Sequence, residues 1–127
     1  MHPARYAELL SQKIAKHETN VWLVNTGWSG GQVGTGNRIK LVYTRAIIDA
    51  IHADALTSAP TAIDPFFGLS VVTKVDGVPD EVLDPRANWS NGEAYDATAT
   101  KLCGLFNENF ETYRGGVRKA VVDAGPQ

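Results

Sequence analysis

Apolar positions recur with helical spacing near both ends of the chain and gather into short runs between them. Over residues 4–16, Leu9, Leu10 and Ile14 share a face, Tyr6 lies a turn earlier, and Lys13 and Lys16 face away. This predicts an amphipathic helix, with Pro3 suited to its first turn. Residues 21–24 are continuously apolar, with two valines and Trp22. They read as a strand buried on both faces, in the middle of an α/β sheet. Residues 39–43 read as a second extended segment. Thr44 follows as N-cap of a helix over 45–55, with Ile47, Ile48 and Ile51 as its buried stripe. Residues 57–65, with Pro60 and Pro65, read as a turn-rich loop, and residues 69–72 as a strand. Asp76-Gly77 and Val78-Pro79 end that strand, and Leu83-Asp84-Pro85-Arg86 reads as an ordered turn. Tyr95, Ala99, Leu102, Phe106, Phe110 and Tyr113 then advance in steps of three and four. They predict the longest helix, 93–113, with an aromatic stripe on the core, stopped by Gly115-Gly116. A short helix over 117–123 follows. No repeat, low-complexity tract or linker divides residues 1–127, so the chain reads as one domain unit.

Composition narrows the function classes. The chain has 127 residues, 43% hydrophobic and 20% charged, with a formal net charge of -2. That balance is ordinary for a globular protein and argues against a nucleic-acid binder, which carries a basic excess. A single cysteine, Cys103, permits no intrachain disulfide, and its helical setting predicts a small buried apolar role. No signal peptide or bilayer-length apolar run is evident, so the reading is a cytoplasmic chain without membrane partners. Asn88-Trp89-Ser90 matches the glycosylation sequon but has no secretion signal beside it.

The chemistry concentrates in residues 21–51. An apolar run leads into a loop with Gly27, Gly30, Gly31, Gly34 and Gly36, then Arg38 and Lys40, then a helix start. No acidic residue lies between Glu18 and Asp49, while Arg38, Lys40 and Arg45 all do. Glycines, cations and a helix N-terminus suit a phosphorylated or nucleotide ligand. Yet Gly31 to Gly36 is followed by Asn37-Arg38, where a phosphate-binding loop needs Lys and then Ser or Thr. The dinucleotide fingerprint fails as well, because Ile39 stands where its third glycine belongs. A surface connection remains the plain alternative for this loop.

Arg38 has the planar guanidinium that stacks on a base or pairs with phosphate, and equally suits solvent. Thr44 suits either a ligand or its own helix cap. Trp22 and Trp28 suit stacking on a ligand, while the plainer reading is core for Trp22 and partial burial for Trp28. His2, His17 and His52 share no metal-ligand spacing, and Asp49 and Asp54 read as solvated. Asp76, Asp80, Glu81 and Asp84 read as an exposed acidic loop, with a weak divalent-cation site as the alternative.

Taken together, HPARYAELL, LVNTGWSGG with GTGNRIKLVYTRAIIDAI, LDPRANW and LFNENFETY resemble, in that order and at compatible spacing, the C-terminal part of ATP-dependent phosphoenolpyruvate carboxykinases. The resemblance covers essentially the whole chain. It implies an α/β fold class, mixed α+β for this chain by itself, forming the C-terminal portion of the family's nucleotide-binding domain. It implies decarboxylation of oxaloacetate and phosphorylation of the enolate by ATP, giving phosphoenolpyruvate, ADP and carbon dioxide in gluconeogenesis. Mg2+ would accompany ATP, and Mn2+ would serve the reacting substrate in the full-length family. ATP contacts would fall to Arg38 beside the base or ribose, Ile39 through its backbone, and Thr44 near the base.

The family's phosphate-binding loop, metal ligands and oxaloacetate-binding arginine would lie upstream of Met1. The resemblance therefore implies a C-terminal piece with no catalytic residue, no metal ligand and no activity alone, oxaloacetate binding only in the full-length enzyme. The rival expectation is a non-catalytic nucleotide-binding or structural remnant. Either way, residues 21–24 without sheet partners predict exposed apolar surface and self-association.

Overall fold

The computed structural model describes residues 3–126. Helix α1 (Pro3–His17) is followed by a hairpin of strands β1 (Trp28–Ser29) and β2 (Asn37–Arg38), then helix α2 (Leu41–His52). A second hairpin, β3 (Thr61–Ile63) and β4 (Ser70–Val72), leads to helix α3 (Gly92–Glu111) and helix α4 (Lys119–Asp123). Single 3-10 turns, Asp80–Leu83 and Arg114–Gly116, flank α3. Both hairpins are antiparallel and form separate sheets, giving the mixed α/β body that the pattern predicts.

The core gathers around residues 56–78, against one face of α2. Leu56, Val75 and Val78 are buried, and Trp22, Tyr43, Ala46, Ile47, Ala50 and Ile51 pack around them. Tyr43 explains why α2 starts earlier than predicted. It is the first member of a stripe that continues through Ala46, Ile47, Ala50 and Ile51 at helical spacing. Reading 39–43 as extended overlooked that register. The N-cap is therefore Lys40, not Thr44, and it makes no side-chain cap bond. Thr44 lies inside the first turn, its N–H 3.3 Å from the Lys40 carbonyl. Ile48, at 37% exposed, falls off the stripe.

The second hairpin closes through Asp64, whose Oδ2 accepts the Phe66 and Phe67 N–H groups at 3.1 and 2.6 Å. Part of the expected 57–65 loop is thus strand β3, paired Thr61 to Val72 and Ile63 to Ser70. Helix α3 begins at Asn91, whose Oδ1 accepts from Glu93 and Ala94 N–H groups at 2.9 and 3.2 Å. It ends at Glu111, short of the predicted Tyr113. Its innermost residues are Ala99 and Cys103 rather than the large rings. Tyr95 meets Phe66 and Phe106 meets Phe67, each edge-on at 6.1 Å. Cys103 is buried, its Sγ 3.6 Å from the Phe66 carbonyl, as its expected inert role requires.

Two expectations need correction. Residues 21–24 form no strand, because no backbone hydrogen bond among the described residues joins them to a partner. Trp22 and Val24 turn inward while Val21 and Leu23 face out, Leu23 at 83% exposure. Helix α1 also turns away most of the face predicted to be buried, keeping Ile14 half-buried. Tyr6, Leu9 and Leu10 are exposed. Its inward side meets the far end of the chain, through Arg118 to Ser11 at 2.8 Å and to Glu8 at 3.4 Å, with Ala4 and Ala7 lining the same groove as Val117 and Val121.

Candidate functional site

The glycine-rich segment folds as a hairpin braced by Asn25. The Asn25 Oδ1 accepts the Gly27 N–H at 2.9 Å, and its Nδ2 donates to the Trp28 carbonyl at 3.1 Å. This is the local turn chemistry that asparagine before glycine favours. Trp28 then pairs with Arg38 and Ser29 with Asn37. The Ile39 N–H closes the base on the Gly27 carbonyl at 2.9 Å. Inside the loop, the Gln32 carbonyl accepts N–H groups from both Thr35 and Gly36, at 3.0 and 2.9 Å. Those amides are committed within the turn, so they do not form the open cradle of a phosphate loop. Gly36 is required by crowding: a Cβ there would stand 2.5 Å from the Ser29 carbonyl oxygen and 2.6 Å from that of Gly31.

Beside the hairpin lies a cleft of about 900 Å³, a size that admits a nucleotide. Trp22, Ile39, Ile47, Val72, Trp89 and Tyr95 are among the residues that line it. Ile39 is therefore in the wall. Arg38 precedes it on β2, exposed and outside the lining residues, with no ion pair among the described residues. Thr44 is half-buried in the first turn of α2 and also outside the lining. The hairpin thus brings Ile39 to the cleft, with Arg38 next to it in sequence but outside the lining, and leaves Thr44 on the adjoining helix. Lys40 sits between them, its ammonium 5.7 Å from the centre of the Tyr43 ring.

Sequence reasoning missed Trp89 and Tyr95, which pack edge-on at 5.6 Å and reach the cleft from a distant part of the chain. No local spacing signals that approach. Sequence reasoning missed Asn25 as well, although its placement two residues before Gly27 is a local signal that could have found it. Burial, with nearby Asp64, holds the Tyr95 hydroxyl above its ordinary range, so it stays a neutral donor. Next to it, Arg86 grips Asp96 with two bonds, 2.8 and 2.9 Å. Hydrogen bonding from Arg86 lowers the Asp96 carboxyl below its ordinary range and raises the guanidinium reciprocally. Both groups are solvated, so the pair orders the start of α3 more than it stabilises the fold. Among the described residues, no group of three or more His, Cys, Asp or Glu side chains is placed to hold a metal ion. Among them, too, no helix is long and apolar enough to cross a membrane.

These features define a mixed α/β unit with an apolar, nucleotide-sized cleft beside a glycine-built hairpin. The family model described as phosphoenolpyruvate carboxykinase matches residues 1–81. The chain belongs to the phosphoenolpyruvate carboxykinase family. It is 50% identical over 127 residues to the phosphoenolpyruvate carboxykinase (ATP) of Thermus thermophilus, a match covering all of this chain and 24% of the relative. The corresponding protein of Candida glabrata is 50% identical over 129 residues, again covering 100% and 24%. One from Arabidopsis thaliana is 44% identical over 133 residues, covering 99% of this chain and 20% of the relative. The chain spans about a quarter of the length of the curated relatives it matches.

Proposed function

We propose that this chain is the adenosine-holding segment of an ATP-dependent carboxykinase. The complete enzyme converts oxaloacetate and ATP to phosphoenolpyruvate, ADP and carbon dioxide, in the cytoplasm and at the entry to gluconeogenesis. The observation that carries the site reading is the hairpin's last turn. Ile39 lies in the cleft wall, and Arg38, the residue before it, is exposed and without a carboxylate partner among the described residues. An apolar wall beside a planar cation suits a purine base with its ribose. Ile39 supplies the wall and Arg38 covers the base or ribose. Thr44, one turn into α2, supplies a hydroxyl near the base.

The chain contributes binding rather than chemistry. The Mg2+ that accompanies ATP and the Mn2+ that serves the substrate find no donor set among the described residues, so no reaction step is assigned to a metal here. No catalytic role is assigned to any residue of this chain, and oxaloacetate is a substrate of the complete enzyme alone. Titration with ATP, followed through Trp28 fluorescence, is expected to saturate only at roughly millimolar nucleotide, about -4 kcal/mol, because adenosine contacts act without a phosphate clamp. Sub-micromolar affinity would overturn that division of labour. In the complete enzyme, Arg38→Ala is expected to raise KM for ATP roughly tenfold, about 1.4 kcal/mol. An unchanged KM removes Arg38 from the site.

The exposed apolar segment has its own consequence. Val21 and Leu23, at 61% and 83% exposure, present side chains and unpaired backbone together. The isolated chain is therefore expected to self-associate along residues 21–24. Sedimentation equilibrium decides this: a monodisperse monomer that binds no hydrophobic dye contradicts it.

A further inference from the structure

The hairpin that carries Arg38 rests on a second support, outside its own ladder. Gly30 opens the hairpin loop with φ +80°, and a Cβ at that position would stand 2.8 Å from the Asn88 carbonyl oxygen. The approach is backbone to backbone, so no flexible side chain can absorb a shift. Asn88 is itself held from the other side. Its Nδ2 donates to the Glu81 carbonyl and, at 3.0 Å, to the Asp84 carbonyl. Glu81 lies in the 3-10 turn Asp80–Leu83 and Asp84 caps its end, the Asp84 N–H also donating to the Glu81 carbonyl at 3.3 Å. The Asp84 carboxylate completes the brace by accepting the Ala87 N–H at 3.1 Å. One asparagine thus ties its own turn together and offers its main chain as the seat for the glycine loop.

We infer that Asn88 is a positioning residue for the nucleotide site: by fixing the turn on which Gly30 rests, it sets where the hairpin presents Arg38 and Ile39. The inference rests on the adenosine reading of those two residues. Asn88 touches no ligand in it, and neighbouring Trp89 supplies cleft wall from the same turn.

Asn88→Asp tests this, because it keeps the side-chain shape while replacing two donors with acceptors facing two carbonyls. Amide hydrogen exchange is measured first, on the ligand-free chain. The probes are Gly36, bonded to the Gln32 carbonyl, and Ile39, bonded to the Gly27 carbonyl. Thr73, bonded to the Pro60 carbonyl in the second hairpin, serves as the internal control. The expected result is exchange roughly tenfold faster at Gly36 and Ile39 with Thr73 within about twofold, since the opening is local. Equal acceleration at all three probes, or none at any, overturns the inference.

Gly30→Ala is the second variant, striking the same contact from the hairpin side. Its effect on Ile39 exchange and that of Asn88→Asp are expected to combine to less than their sum, as for groups sharing one contact. Full additivity rejects the contact as the route. A chemical-shift titration with ATP and magnesium closes the test. Asn88→Asp is expected to weaken binding about three- to tenfold while the same amides respond. Unchanged binding beside faster exchange leaves Asn88 a purely structural residue and overturns the inference. If the unaltered chain shows no response to ATP, the adenosine reading fails and the positioning role falls with it. The exchange pattern would still report, separately, whether Asn88 and the hairpin are mechanically coupled.

Discussion

Gly36→Ala is expected to dissolve the first hairpin and leave the second intact. The added methyl would lie 2.5 Å from one carbonyl oxygen, 2.6 Å from another and 2.9 Å from the Gly31 nitrogen. All three are backbone atoms, so relief requires moving β1 away from β2. With only two residue pairs in the ladder, the hairpin has little to lose before it opens. The expected cost is on the order of 3 kcal/mol, near the upper end for a single substitution. Trp28 emission should shift to the red and the Ile39 amide should lose its protection. Gly104→Ala provides the contrast. Gly104 lies within α3 and has nothing within 4 Å of an added Cβ. That substitution should stabilise the helix by about 0.5–1 kcal/mol through reduced backbone entropy. A Gly36→Ala chain with native Trp28 emission would show that the loop yields where its geometry says it cannot.

Leu56→Ala is expected to abolish cooperative unfolding. Leu56 is 5% exposed and shares its cluster with only two other buried side chains, Val75 and Val78. Removing a buried leucine side chain typically costs about 2–5 kcal/mol, the larger values where surroundings cannot collapse. Here α2 and the turn at Val75–Val78 hold the walls apart, and a core this small has no reserve. The thermal transition followed by circular dichroism should broaden into a gradual loss of signal. Leu23→Ala, at a site 83% exposed, should stay within about 0.5 kcal/mol of the parent. A sharp transition in the Leu56 variant, only slightly lowered, would mean that the core lies elsewhere.

What the amino-acid pattern made legible, and what it hid, follows from how far each signal reaches. The periodicity of Tyr95, Ala99 and Phe110 located α3 to within two residues at either end. Glycine and proline located the turns, because turn chemistry is local. The start of α2 was misplaced because Thr44 is a better cap than Lys40. Packing of Tyr43 on Leu56, Val75 and Val78 outweighed that preference. The strand reading of 21–24 failed for a different reason. A β-strand is a relation between two segments, and the described residues supply no second one. The site divides in the same way. Arg38, Ile39 and Thr44 are proposed from the family resemblance, and of the three the structure sets Ile39 in the cleft wall. Trp89, Tyr95 and the Asn88 support arrive from a turn whose approach only the fold reveals.

Helix α1 is seated differently from the other two long helices. Arg118 reaches it across 107 residues of sequence to Ser11 and pairs with Glu8, with both charged side chains substantially solvated. Its apolar stripe, Tyr6 and Leu10 included, meanwhile faces outward. Dissolved ions screen an attachment of this kind, whereas the apolar seats of α2 and α3 tighten under strongly hydrated salts such as sulfate. Ionic strength therefore weakens the Arg118 contacts of α1 under conditions that consolidate the apolar contacts of the body it rests on.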